Sequence, residues 1–125
     1  MINLKIQGHN FDLSDKVTVY VNEKIGCLDK YLPKRREQYF GTVVLSQDPS
    51  GREDNRFVCE ARIEVAGPDL QSKEATINIF AAIDIVEAKL KAQAMKYKDK
   101  HSPRLARRRA WLNKLWGRGD STEVS

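Results

Sequence analysis

Residues 57–65 read Phe57-Val58-Cys59-Glu60-Ala61-Arg62-Ile63-Glu64-Val65, and this stretch decides the kind of fold the chain adopts. Phe57, Cys59, Ala61, Ile63 and Val65 fall on one side of an extended backbone, with Val58, Glu60, Arg62 and Glu64 on the other. A period of two, with one apolar side and one mostly polar side, predicts a strand in a sheet that is covered on one face and wet on the other. Downstream, Gly67-Pro68-Asp69 predicts a hairpin connection into a shorter strand from Leu70 to about Ala75. That strand is poorer in apolar residues, as suits a sheet edge. Upstream, the turn-rich segment from Asp48 to Asn55 leads back to a strand marked by Val43 and Leu45 after Gly41. At the start of the chain Ile2, Leu4 and Ile6 alternate with Asn3, Lys5 and Gln7, which predicts another half-buried strand.

Two stretches change period. Val17, Val21, Ile25, Leu28 and Leu32 recur at helical spacing behind Ser14, a good N-cap, with Asp15 in the first turn and Pro33 as the stop. The run Val17-Thr18-Val19-Tyr20-Val21 has strand character, but the spacing carries on to Leu32 and predicts one helix. Gly26 within it costs roughly 1 kcal/mol against Ala, so close packing is expected there. Ile79, Ala82, Ile83, Val86, Leu90 and Tyr97 predict a second, longer helix to about Lys100, ended by His101-Ser102-Pro103. The fold class is therefore α+β, in the order β-α-β-β-β-α. Its last three strands should form an antiparallel meander, with the first joined by a right-handed crossover and parallel to its neighbour. Both helices should cover one face of the four-stranded sheet, leaving Lys5, Glu60, Arg62 and Glu64 on the open face. Residues 1–100 form the domain, and 101–125 a basic tail rich in Arg and Trp.

At 125 residues and 14.3 kDa, with 41% hydrophobic and 31% charged residues, the chain fits one globular domain with a modest core. No apolar run approaches the roughly 20 residues of a membrane span, and Met1 to Ile6 lack the pattern of a signal peptide. Cys27 and Cys59 match neither a disulfide framework nor a zinc spacing, which points to a reducing cytosol. Catalysis finds little footing. His9 and His101 have no Cys, Ser or Asp at motif spacing, and neither a Gly-rich phosphate loop nor a metal motif occurs. Cys59 shares its side of the strand with Phe57 and Ala61 and reads as a core thiol, while Cys27 beside Leu28 reads as partly buried. No cofactor or small-molecule substrate is expected.

The net charge of +5 averages two unlike parts. Residues 1–88 carry 11 Lys+Arg against 14 Asp+Glu, whereas residues 89–118 carry 11 basic residues against Asp99 alone. Such a division is the footprint of a polyanion binder. With Leu90 facing the sheet, Lys89, Lys96 and Lys100 fall about 100° to one side of the second helix and Lys91 and Lys98 to the other. One of these ridges should adjoin the first helix, which offers Lys24 and Lys30, with Lys34, Arg35 and Arg36 just beyond. Most surface lysines taken singly bind nothing, but ridges of ammonium groups along neighbouring helices suit a phosphate backbone. In the tail, Arg104, Arg107, Arg108 and Arg109 with Trp111 and Trp116 suit stacking and phosphate bridging, or a disordered segment that folds on RNA. A membrane surface is the weaker partner, because Arg108 shares a helical side with Leu105 and Leu112. Phe57 and Phe80 read as core, and Tyr20, Tyr31 and Tyr39 fit either core or stacking.

Several segments together resemble the ribosome hibernation promoting factor and ribosome-associated inhibitor A family, also called the sigma-54 modulation protein family, of bacteria and plastids. The most specific is Asn78-Ile79-Phe80-Ala81-Ala82-Ile83-Asp84, followed by Lys89-Leu90, Gln93, Lys96 and Lys98-Asp99-Lys100. Ile6-Gln7-Gly8-His9-Asn10, Leu28-Asp29-Lys30-Tyr31-Leu32 and Val43-Val44-Leu45 also fit, so the resemblance covers about residues 1–100. It implies a fold like that of a double-stranded-RNA-binding domain. It implies binding to the small ribosomal subunit, against 16S rRNA and neighbouring ribosomal proteins, where mRNA and the A- and P-site tRNAs sit. Residue by residue, it carries over to Lys24, Lys30, Lys89, Lys96, Lys98 and Lys100. Three positions depart from the family pattern: Asn78 stands for Asp, Phe80 for Tyr, and Ala92 for an Arg beside Gln93. With Phe80 a hydroxyl contact is lost, and with Ala92 a phosphate contact. The resemblance implies a short member, or the N-terminal domain of a long member whose second domain dimerises ribosomes, acting in a bacterial cytoplasm more than in a plastid stroma. The other readings are a general structured-RNA module and, third, a small enzyme that depends on His9 or Cys27.

Overall fold

The computed structural model describes residues 1–34, 38–50 and 55–101. Strand β1 spans Asn3–His9, helix α1 Asp15–Lys24, a 3-10 helix Gly26–Tyr31, β2 Phe40–Gln47, β3 Phe57–Ile63, β4 Leu70–Thr76 and helix α2 Ile79–His101. The strands lie in chain order β1-β2-β3-β4. β1 runs parallel to β2, with Ile6 beside Val43, as the crossover through α1 requires. β2 pairs antiparallel with β3, Leu45 opposite Cys59, and β3 with β4, Glu60 opposite Lys73. This is the α+β arrangement expected, with β4 at an edge.

Alternation places the core. Val43, Leu45, Cys59, Ala61 and Ile63 are sealed beneath the helices, while Lys5, Glu60, Arg62 and Glu64 are exposed on the far face. From above, Val17 and Val21 of α1 and Ile79, Ala82, Ile83, Val86, Leu90 and Ala94 of α2 close the same core. Burial of each large aliphatic side chain stabilises the fold by about 1.5–3 kcal/mol. Ser14 caps α1, its hydroxyl accepting from the Val17 amide at 3.2 Å. Asn78 does the same for α2, its Oδ1 accepting from the Phe80 amide at 2.7 Å. The carboxamide thus performs an Asp-like capping role at that position.

The first helix differs from its expected course. It ends at Lys24 and tightens from Gly26 into the 3-10 helix, although Ile25, Leu28 and Leu32 remain buried. The Ile2 amide donates to the Gly26 carbonyl at 2.7 Å, so that acceptor is turned toward the start of β1 instead of the next helical turn. A Cβ on Gly26 would meet the Met1 side chain at 3.0 Å. The close packing expected at Gly26 is present.

Candidate nucleic-acid interface

The two helices meet through a small polar cluster. Tyr20 on α1 donates its hydroxyl to Asp84 on α2 at 2.5 Å, and the Lys24 ammonium lies 3.6 Å from the same carboxylate. Phe80 packs edge-on to Tyr20, with centroids 5.0 Å apart, and Lys16 sits 5.7 Å from the Phe80 ring. The hydroxyl that Phe80 lacks is therefore not missing from this place, because Tyr20 brings one to α2. The hydrogen bond to Asp84 holds the Tyr20 proton and pushes its pKa up to about 12, helped by partial burial and by the charges of Asp84 and Glu87.

The lysines of α2 divide as the helical wheel predicts, but their surroundings differ. On one side Lys89 is ion-paired with Glu74 of β4. One turn on, Gln93 clamps the edge strand: its Nε2 donates to the Gln71 carbonyl at 2.9 Å and its Oε1 accepts from the Gln71 amide at 3.1 Å. Further along, Lys96 and Lys100 flank Tyr97 over a cleft of about 510 Å³ floored by the Gly67-Pro68-Asp69-Leu70 turn. On the other side Lys91 reaches the 3-10 helix, its Nζ 5.0 Å from the centroid of Tyr31, while Lys30 approaches the same ring at 5.3 Å. This is the ridge that adjoins the first helical segment. Lys34 is exposed just past it.

The charge ledger follows from these contacts. Lys24 and Lys89 each have a carboxylate partner, whereas Lys30, Lys34, Lys91, Lys96, Lys98 and Lys100 have no ion-pair partner among the described residues. Five of these cations lie on α2 and the 3-10 helix, and Lys34 lies just past the latter. Arg35, Arg36, Arg104, Arg107, Arg108 and Arg109, together with the tail tryptophans, lie outside the described residues. On the open sheet face two shallow clefts mix Glu60 with Arg62 or Lys73, which gives no single-sign field. His9 lies at the end of β1 beside Ser46. Cys59 is fully buried, and burial pushes its thiol up to about 12. Cys27 is half-buried, with its Sγ 3.9 Å from the Asn22 carbonyl. Among the described residues no group of three His, Cys, Asp or Glu could hold a metal ion, and no helix is long and apolar enough to cross a membrane.

A profile of the family described as Sigma 54 modulation protein / S30EA ribosomal protein matches residues 4–102. The chain belongs to this family. The S30EA-family segment coincides with the span from β1 to α2. Over 100 residues the chain is 31% identical to the ribosome hibernation promotion factor of Lactococcus lactis subsp. cremoris, a match covering 78% of this chain and 50% of that protein. It is 29% identical over 103 residues to the ribosome hibernation promoting factor of Azotobacter vinelandii, covering 82% of this chain and 89% of the relative. The chain spans about half the length of the first and most of the second. Its fold is similar to the crystal structure of the Thermus thermophilus Protein Y N-terminal domain, with a TM-score of 0.63 and 25% identity, covering 78% of this chain and 99% of that one. A ribosomal subunit interface protein from Coxiella burnetii shares the fold at a TM-score of 0.60 and 15% identity, covering 78% and 98%.

The sequence did not point to Asp84, Glu74 or Gln93 as organisers of this surface. Gln93 stood in the family pattern beside the lysines and turns out to hold the sheet edge. The pairing of Tyr31 with Lys91 spans 60 positions, and no local spacing announces it.

Proposed function

We propose that this chain is a ribosome hibernation factor, without enzymatic activity, that binds 16S rRNA in the decoding region of the small subunit. There it excludes mRNA and A- and P-site tRNA, and so shields idle ribosomes in a bacterial cytoplasm. The observation that carries this reading is the set of six cations on both flanks of α2, on the 3-10 helix and just past it, with no carboxylate partner among the described residues. Family membership and the names of the relatives support it. In this reading Arg35, Arg36, Arg104, Arg107, Arg108 and Arg109 extend the same surface, and neighbouring ribosomal proteins complete the site. Residues 4–102 supply the docking body, and the tail adds contacts along the mRNA path.

The test compares binding to purified 30S subunits with binding to naked duplex RNA over a range of salt. Six phosphate contacts predict a log–log salt slope of roughly −4 to −6. The 30S subunit should bind far more tightly than the duplex at equal salt. Equal affinity for both would replace this reading with that of a general structured-RNA module.

A further inference from the structure

We propose that the cleft between Tyr31 and the last turns of α2 holds one unstacked nucleobase of an RNA strand. The proposal rests on the RNA-binding reading above and gives that surface a second mode of contact. The cleft measures about 520 Å³ and is lined by Tyr31, Met95, Lys96, Lys98 and Asp99. It is many times larger than the ~30 Å³ share of a liquid water. Lys91, Met95 and Lys98 succeed one another at four and three residues, so α2 presents them on one side. Met95 is 51% exposed in the middle of this basic surface, and Tyr31 is half-buried.

A surface built for duplex backbone needs cations alone, because a duplex keeps its base faces inside the stack. Here an aromatic ring and a polarisable thioether stand among the cations, and neither adds anything to a phosphate contact. A base that has left its stack offers the π-face these groups fit. The Lys30 and Lys91 ammonium groups lie over the Tyr31 ring, 5.3 and 5.0 Å from its centroid, so a base that stacks there turns the nearer one aside, within reach of the phosphates that flank it. Lys98 lines the cleft itself.

The chain contains two methionines, so labelling the methionine ε-methyl with carbon-13 gives one reporter in the cleft, Met95, and a control outside it, Met1, whose methyl lies at the Gly26 end of the 3-10 helix. The full chain is titrated with a single-stranded oligoribonucleotide, a blunt duplex of the same sequence and adenosine monophosphate. The single strand should move the Met95 methyl upfield by ring current and leave Met1 in place, adenosine monophosphate should do the same only at far higher concentration, and the duplex should leave both methyls in place. Tyr31→Leu should weaken single-strand binding roughly 5- to 100-fold without changing the salt slope, and Tyr31→Phe should restore it. Met95→Ala, at an exposed position that the core does not need, should weaken binding in the same direction. A Met95 methyl that stays still with the single strand, or moves as much with the duplex, overturns the proposal. Sedimentation with 30S subunits separates the two readings. Co-sedimentation with an unmoved Met95 overturns the cleft alone, and a moved Met95 without co-sedimentation overturns the hibernation reading alone.

Discussion

At the scale of single residues, what matters about a lysine here is its neighbour. Lys89 and Lys96 lie on the same flank of α2, yet Lys89 meets Glu74 while Lys96 has no carboxylate partner among the described residues. A phosphate at Lys89 must compete with that carboxylate. Lys96→Ala should therefore lower the steepness of salt-dependent 30S binding by about 1, and Lys89→Ala by clearly less. Equal changes in the two slopes would show that the Glu74 pair opens freely. Tyr20 gives a prediction of a different kind. Its bond to Asp84 keeps the proton on the phenol up to about pH 12, whereas the unfolded phenol loses it near its ordinary value of 10. A folded-state pKa above the unfolded one means that this contribution is fully present below pH 10 and is lost as pH rises to 12. The denaturant midpoint of the native chain should therefore exceed that of Tyr20→Phe at pH 9, and the gap should close by pH 12. Cys59 loses its proton over an overlapping range in both proteins, so the difference between them isolates Tyr20.

At the scale of elements, Gln93 joins α2 to the sheet edge. Its carboxamide takes both the amide and the carbonyl of Gln71, which point together out of the sheet edge and would otherwise face water. Gln93→Ala should destabilise the fold by about 1–2 kcal/mol and speed exchange of the Gln71 amide, with little change at Val43 in β2. Unchanged exchange at Gln71 would mean that the clamp is not formed in solution. The elements also show where sequence reasoning works. The strand from Phe57 and the helix from Ile79 were legible because one face of each is buried, so burial imposes a period of 2 or 3.6 on the residues. The end of α1 was not legible. The apolar spacing runs on through Leu28 and Leu32, and the break comes from a hydrogen bond between Ile2 and Gly26. That bond forms only once β1 is in place, so the stretch from Val17 to Leu32 does not contain it.

At the scale of the whole molecule, a sheet with one wet face backs two helices and presents the basic side of α2 on the far side from it. The concentration of charge in residues 89–118 made the basic character of α2 legible and is the ground for proposing a polyanion site there. Which lysines are already paired, and that Tyr31 gathers Lys30 and Lys91, depended on contacts between distant parts of the chain. The central claim is that this surface occupies the place of mRNA and tRNA on the small subunit. Co-sedimentation with 70S ribosomes, with and without a saturating mRNA and P-site tRNA, measures it directly. The account predicts that the chain pellets with vacant ribosomes and is released to the supernatant as the competitors are added. Binding that stays unchanged at saturating mRNA and tRNA would contradict it.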